Sequence, residues 1–146
     1  MDKNNTRAFL AAAIGLFLVR TVQADVSIVG ARAELSASEP RHVEVYFELR
    51  NETTHELELL KAVCDRADRV ELKQRSVSAD NKPRVWPVAK FEVPPGGTLK
   101  LHADGRFFQV SGLDPGVAVG QILPLSFTFE DERPVTLQLK LEAARR

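Results

Sequence analysis

The imidazole and thiol side chains of this sequence, which could bind a transition metal or begin covalent catalysis, are His42, His55, His102 and Cys64. Soft transition-metal ions are held by imidazole, thiolate and thioether groups. The only methionine is Met1, so the rest of the chain has no thioether to offer. The histidines are far apart in sequence, but strands can bring distant residues together, so a metal or catalytic site built from them stays open. The alternative, which we favour, is that they are surface and turn residues.

Motifs of known catalytic mechanism are missing. The sequence has no G-x-S-x-G, H-E-x-x-H or C-x-x-C pattern and no glycine-rich phosphate loop. Gly96-Gly97 follows two prolines, which is typical of a turn between strands. The charged stretch Glu130–Glu132 is interpreted as a solvated turn rather than an acid-base pair. We therefore expect that the protein is not an enzyme.

The first 24 residues have the layout of a secretory signal peptide. Basic residues precede an apolar run from Ala8 to Val19, and Ala24 ends a small-residue cleavage site. The run is shorter than the roughly 20 apolar residues that cross a bilayer as a helix. Arg20 also interrupts the segment, which disfavours the alternative of an uncleaved anchor. We predict cleavage before Asp25 and a single mature domain of residues 25–146.

Composition restricts the partners of that domain. The chain has 20 basic and 20 acidic residues, and without residues 1–24 these become 17 and 19. A slightly acidic surface does not attract nucleic acid or an anionic membrane, so we predict neither as a partner after signal cleavage. A single cysteine cannot form an internal disulfide. We expect Cys64 to be a small buried residue, with a reactive thiol or an intermolecular bridge as the alternative, and its distance from the cleavage site predicts no lipid anchor.

The rest of the sequence is typical of β-strands. Residues 42–51 alternate apolar and polar side chains, which places the apolar ones on one face. Residues 125–129 and 135–141 repeat the pattern, and the charged stretch between them predicts a hairpin. Turn-forming clusters of Gly, Pro, Asp and Asn recur about every ten residues. This organisation predicts one all-β domain, an antiparallel β-sandwich.

Six segments resemble, in order, the successive blocks of the periplasmic copper chaperone family PCu(A)C: VYFELRN, RVELKQ, VWPV, FEVPPGGTLKL, GRFFQVSGL and LPLSFTFED. From Val85 to Leu113 the spacing of prolines and glycines agrees with the family pattern without a gap. The resemblance implies a cupredoxin-like β-sandwich with Greek-key topology. It also implies a periplasmic protein that receives copper(I) and passes it toward the copper centre of a respiratory oxidase.

The resemblance fails at the four positions that hold copper in the family. Where the family pattern has two histidines and two methionines, this sequence has Lys73, Val85, Phe107 and Gln109. An ammonium group has no lone pair, an apolar side chain donates nothing, and an amide oxygen is a hard ligand. The resemblance therefore implies a degenerate metal site that binds no cofactor. The candidates for a relocated copper(I) site are His42, His102 and Cys64.

Phe107 and Phe108 are adjacent, so on a strand they point to opposite faces. The resemblance assigns Phe108 to the core and Phe107 to the outer face, where the family binds metal. We favour the interpretation that Phe107 plugs the vacated site together with Val85. The alternative is an exposed contact patch that is formed by Phe107, Val85 and Trp86.

Two functions remain open at this stage. We favour a noncatalytic periplasmic binding module that recognises an unknown protein through the former metal-site surface. The expected class of partner is a copper-handling or oxidase-assembly factor. The alternative is a functional copper(I) chaperone that uses relocated ligands.

Overall fold

The alternating segments of the sequence form strands. This computed structural model describes residues 20–23, 26–37, 39, 41–130 and 134–145, and within these ranges it contains eleven strands and no helix. The described residues accordingly include no helix long and apolar enough for a membrane crossing. The strands are β1 Arg20–Gln23, β2 Val26–Leu35, β3 Val43–Asn51, β4 Leu57–Cys64, β5 Ala67–Val77, β6 Pro83–Pro87, β7 Phe91–Val93, β8 Thr98–Lys100, β9 Arg106–Leu113, β10 Ile122–Phe129 and β11 Val135–Glu142.

The strands form two facing layers. One hydrogen-bonded path runs β6-β5-β9-β3-β2-β11-β10-β4-β7, with β1 beside β2 and β8 beside β3. Phe47 of β3 and Phe108 of β9 both contact Phe127 of β10, with ring centroids 4.9 and 5.1 Å apart. Since β10 is not a neighbour of β3 or β9 along the path, these contacts cross between two layers. The predicted all-β sandwich is confirmed.

One pairing departs from the predicted antiparallel arrangement. Strands β2 and β11 run parallel, with Leu141 opposite Ala33 and Glu142 opposite Glu34. Hairpin signals report only strands that follow each other in the chain, whereas a parallel pair needs a long connection. This pair could therefore not be predicted from local patterns, and it is the link between the two layers.

Apolar residues on one face of each strand fill the space between the layers. The alternation predicted for residues 42–51, 125–129 and 135–141 is confirmed, because their inward apolar side chains are at most 3% exposed. Phe108 joins the same core, as predicted, together with Val110, and Phe107 does not. Burial of each large apolar side chain contributes about 1.5–3 kcal/mol.

Asn51 closes one end of the sandwich. Its side-chain amide nitrogen donates to the backbone oxygens of His55, Val93 and Pro94 at 2.8 to 3.1 Å, and its side-chain oxygen accepts from Thr53. The residue is fully buried. The tripeptide Asn51-Glu52-Thr53 matches a glycosylation acceptor, but in this fold the amide nitrogen is enclosed and fully engaged.

The predicted signal peptide lies largely outside the described residues. Of residues 1–24 the structure describes Arg20–Gln23, which form β1 and pair antiparallel with Val26–Val29 of β2. Cleavage before Asp25 stays a prediction. Such cleavage would remove β1 and leave that part of β2 with a free edge.

Candidate functional site

The four positions that correspond to copper ligands in the resembling family lie on one face of three neighbouring strands. Lys73 of β5 is directly opposite Phe107 of β9, and Gln109 lies two residues further along β9. Val85 of β6 is opposite Arg75 of β5. Side chains two residues apart on a strand share a face. The four positions therefore meet on the outer face of the first layer, away from the core.

A buried phenylalanine lies at the centre of this face. Phe107 is 0% exposed although it is outside the core. The guanidinium carbon of Arg75 lies 4.4 Å from its ring centroid, a distance at which cation and ring attract. Phe107 therefore has no surface with which to form an exposed contact patch, because Arg75 covers it. Its burial matches the plug interpretation, but Val85 is 44% exposed and does not share in the plug.

Glu44 of β3 holds Arg75 over the ring. Arg75 Nη1 and Nη2 donate to Glu44 Oε1 and Oε2 at 3.1 and 2.7 Å, and Nη1 also donates to the Ala103 carbonyl oxygen. Two parallel hydrogen bonds of this kind fix both the position and the orientation of the guanidinium. The hydrogen bonds with Glu44 raise the pKa of Arg75 further above its ordinary value, so the cover is permanently charged.

Tyr46 and Arg32 extend the same arrangement across the sheet. The Tyr46 hydroxyl donates to Glu44 Oε1 at 2.6 Å. Burial, and then the hydrogen bond and charge of Glu44, raise the pKa of Tyr46 well above its ordinary value, so the phenol stays neutral. The Arg32 guanidinium lies 4.8 Å from the Tyr46 ring centroid, and its Nε donates to Glu34 Oε2 at 2.6 Å. Paired charges and stacked rings thus cover the outer face.

The remaining two family positions carry polar side chains. Lys73 Nζ lies 3.7 Å from Glu71 Oε1, and the Lys73 side chain is 17% exposed. Gln109 is buried and lies between Glu44 of β3 and Glu71 of β5 in the strand register. None of these groups is a soft ligand. Two cations, Lys73 and Arg75, stand on this part of the face.

The two histidines that were candidates for a relocated site lie far from each other. His42 immediately precedes Val43 at the start of β3. His102 follows Leu101, whose N–H donates to the Phe47 carbonyl oxygen further along β3. Val43 and Phe47 are four residues apart on β3, and four residues of extended strand span about 13 Å. The fold therefore does not bring His42 and His102 to a common point.

Cys64 lies in the opposite layer. It is opposite Leu125 of β10 and belongs to the buried core, which agrees with the predicted small buried residue. Burial raises the pKa of the Cys64 thiol, which disfavours the thiolate that would bind metal or react. His42, His102 and Cys64 thus do not assemble into one site.

Another group of side chains within the described residues is close enough to share a metal ion. Ligand atoms of Glu56, Glu58 and Glu92 lie within 4.8 Å of one another. Lys90 Nζ is 2.7 Å from Glu58 Oε2 and 3.3 Å from Glu92 Oε2. The ammonium already supplies a positive charge there, and carboxylates are hard ligands that do not suit copper(I).

The other two residues of the predicted contact patch point in different directions. Val85 and Trp86 are 44% and 41% exposed, but as neighbours on β6 they lie on opposite faces of the sheet. Val85 shares the outer face with Phe107, whereas Trp86 is opposite Gln74 on the other face. The three residues therefore form no single patch, and Val85 and Trp86 are exposed on opposite faces of the hairpin of β5 and β6.

This hairpin is basic and carries unpaired charges. Residues 73–87 include four basic residues and one acidic residue, Asp80. Lys82 and Arg84 are exposed, and neither forms an ion pair with the residues that the structure describes. Val77, near the tip, is also exposed. The hairpin thus combines apolar side chains with free positive charge.

Two prolines protect the free edge of β6. The Val88 N–H donates to the Leu72 carbonyl oxygen. Backbone groups alternate in direction along a strand, so those of Arg84 and Trp86 also point toward β5. The backbone groups of Pro83, Val85 and Pro87 point away from β5, and prolines have no N–H to donate. The edge can hardly pair with another strand. A partner of this hairpin must contact its side chains.

Sequence patterns missed Arg75 as the central residue of the site. Alternation in residues 42–51 did place Glu44 and Tyr46 on the outer face. It gave no signal that a guanidinium from β5, 31 positions after Glu44, would lie between them and Phe107. Only the pairing of β5 with β9 and of β9 with β3 brings these residues together.

The fold is that of PCuAC domains. A solved structure entitled "Copper-bound PCuAC domain from PmoF2" has a TM-score of 0.68 and 14% identity, and the match covers 86% of this chain and 98% of that one. For "Apo PCuAC domain from PmoF1" the values are 0.68, 13%, 86% and 99%. "Solution structure of apo-DR1885 from Deinococcus radiodurans" has a TM-score of 0.56 and 23% identity, with coverage of 88% and 81%. At these identities the likeness establishes the fold.

Sequence comparison establishes the family. The profile described as "Putative lipoprotein LpqE-like" matches residues 22–141. The protein therefore belongs to the LpqE-like family. No curated protein matches the chain. The family description names a lipoprotein, whereas the sequence predicted no lipid anchor, and the structure places the thiol of Cys64 in the core.

Proposed function

We propose that this protein is a noncatalytic periplasmic binding module that holds no copper(I) at the position used by copper-binding PCuAC domains. The observation that carries the proposal is the buried Phe107 ring under the Arg75 guanidinium, 4.4 Å away. An apolar ring stands at the position of a family histidine, and a guanidinium covers it.

Electrostatics argue against a metal cation at this place. Arg75 is locked to Glu44 by two hydrogen bonds, so moving it away would leave a buried carboxylate unpaired, at a cost of about 3–5 kcal/mol. Lys73 adds a second positive charge nearby. Copper(I) would have to displace this arrangement and would gain no soft ligand from the four positions.

The β5–β6 hairpin is the surface that supports partner recognition. Trp86, Val85 and Val77 are exposed, and aromatic anchors with basic neighbours are typical of binding surfaces. The free charges of Lys82 and Arg84 favour an acidic partner. The apolar residues Val85 and Trp86 lie on the stem, while the tip, residues 78–82, is polar except for Ala79. This arrangement fits a protein surface laid along the hairpin better than insertion into a membrane.

A copper(I) chaperone with relocated ligands is the second candidate. It is supported by two proteins of similar fold, "Copper-bound PCuAC domain from PmoF2" and "Solution structure of CuI-DR1885 from Deinococcus Radiodurans". For this chain it would require His42, His102 or Cys64 to serve as ligands. Their separation in the fold makes it the weaker candidate.

Competition for copper(I) tests the proposal. The purified protein is titrated against a colorimetric copper(I) chelator under reducing conditions. We expect the chelator to keep its copper. The matched control restores the family's ligand types at the four positions, as Lys73→His, Val85→Met, Phe107→His and Gln109→Met, and it should withdraw copper from the chelator.

The opposite result would establish the second candidate. If the unaltered protein takes up one equivalent of copper(I), it binds the ion with ligands outside the four family positions. Single substitutions His42→Ala, His102→Ala and Cys64→Ala would then identify the relocated ligands by the loss of uptake.

A further inference from the structure

A cleft of about 480 Å³ lies beside the former metal position on the outer face of the first layer. Its floor is formed by Arg32, Glu34, Glu44 and Tyr46, and Arg75 separates it from Phe107. The tip of the β5–β6 hairpin forms one wall. The cleft is thus a distinct space from the four family positions.

The two carboxylates on the floor are already occupied by donors. Glu34 Oε2 accepts from Arg32 Nε at 2.6 Å and lies 3.1 Å from Arg145 Nε. Glu44 accepts from Tyr46 and, through both oxygens, from Arg75. Both carboxylates are nearly buried. The floor therefore has little capacity to accept hydrogen bonds from a ligand.

The cleft still has free hydrogen-bond donors, and they belong to Arg32. Only its Nε is engaged, while Nη1 and Nη2 have no hydrogen-bond partner among the described residues. The guanidinium is held 4.8 Å from the Tyr46 ring centroid, and 37% of the Arg32 side chain is exposed. A guanidinium fixed in this way presents a two-pronged donor that matches a carboxylate.

Charge and shape narrow the class of ligand. The charged residues lining the cleft are three arginines, Arg32, Arg75 and Arg145, and three acids, Glu34, Glu44 and Asp104, so their formal charges cancel. A multiply charged anion would meet repulsion from Asp104 without a compensating net charge. Val77, Pro83 and Leu35 supply apolar wall. We propose that the cleft binds a small monovalent carboxylate with an apolar body, which Arg32 recognises through Nη1 and Nη2.

The test is a titration of the full protein that is followed by NMR of backbone amides and arginine Nε–H groups. Hexanoate is the probe, and hexanol and inorganic phosphate are the comparison compounds. We expect hexanoate to shift the signals of Arg32 and Tyr46 in a saturable way, with weaker effects from both comparison compounds.

Two variants make the result specific. Arg32→Gln should weaken hexanoate binding by about tenfold or more, because a charge-assisted pair is lost, and Arg32→Lys should restore only part of the affinity. Arg84→Gln, outside the cleft, should bind as the unaltered protein does. Signals of the core report whether each variant is folded.

Three outcomes would contradict the proposal. They are the absence of saturable shifts with hexanoate, equal affinity in Arg32→Gln and Arg84→Gln, and equal binding of phosphate or hexanol. The titration contains no copper, so it is independent of the copper(I) competition.

Discussion

Arg75 lies over the ring of Phe107, with 4.4 Å between the guanidinium carbon and the ring centroid. This contact stands where copper-binding PCuAC domains are expected to hold their metal. The face is closed by a cation, an aromatic ring and the carboxylate of Glu44. In this chain the PCuAC fold thus carries a hydrogen-bonded and stacked arrangement that stabilises the outer face of the sheet.

Removal of the Arg75 side chain should destabilise the protein. In Arg75→Ala the buried Glu44 loses its bidentate partner and Phe107 becomes exposed, so the free energy of unfolding should fall by about 3 kcal/mol or more. Urea denaturation measures this change. The matched control is Lys73→Ala, whose ammonium makes only a 3.7 Å contact, and it should cost well under half as much. Equal losses in the two variants would contradict the central role of Arg75.

The ionisation of Tyr46 should be delayed far beyond that of an unfolded tyrosine. It is the only tyrosine in the chain, so absorbance near 295 nm reports it alone. Burial and Glu44 raise its pKa, and the unfolded side chain ionises near pH 10. The native protein should therefore show no tyrosinate at pH values where the protein in urea is already ionised.

The same shift makes stability depend on pH in a defined direction. Above about pH 10 the unfolded chain releases the tyrosine proton and the native chain retains it. Ionisation therefore stabilises the unfolded state relative to the native state. The free energy of unfolding should then fall by about 1.4 kcal/mol per pH unit from this group. Tyr46→Phe should lack this contribution. An identical alkaline slope in both proteins would show that Tyr46 is not responsible.

Sequence patterns predicted the layers better than the site. Period-two alternation is a local property: it placed Phe107 and Phe108 on opposite faces, and the family resemblance assigned Phe108 to the core. Burial of Phe107 depends on Arg75, whose position follows from pairing between strands distant in the chain. The opposite faces of Val85 and Trp86 were implied by alternation on one strand, but the patch hypothesis did not apply that rule to β6. Two causes therefore account for the differences between the predicted and the observed site. They are strand pairing over long sequence distances, and the alternation of Val85 and Trp86 on β6, which the patch hypothesis overlooked.

Gly112 should resist substitution for a geometric reason. Its φ is +70°, and an added Cβ would lie 2.4 Å from Asp68 Oδ2. Gly112→Ala should therefore lower the free energy of unfolding by about 1–3 kcal/mol. Gly116→Ala is the matched control, because no atom lies within 4 Å of its added Cβ. Thermal denaturation compares the two, and a Gly112→Ala protein as stable as the control would refute the conformation assigned to this residue.

The β5–β6 hairpin should be the principal contact surface for a protein partner. A photoreactive benzoylphenylalanine at Trp86 should crosslink to a partner in an envelope preparation. The same group at Val63, an exposed apolar residue of the opposite layer, is the matched control and should crosslink much less. Mass spectrometry of the product identifies the partner and its acidic surface.

Charge should govern that contact. Reversal of both free cations, Lys82→Glu with Arg84→Glu, should strongly reduce crosslinking from position 86, and so should salt, since exposed charges are screened beyond about 8 Å at physiological ionic strength. Recovery of lipid rather than protein at position 86 would favour a membrane surface over a protein partner. Crosslinking that is equal from both positions, or unaffected by charge reversal, would mean that the hairpin is not the recognition surface.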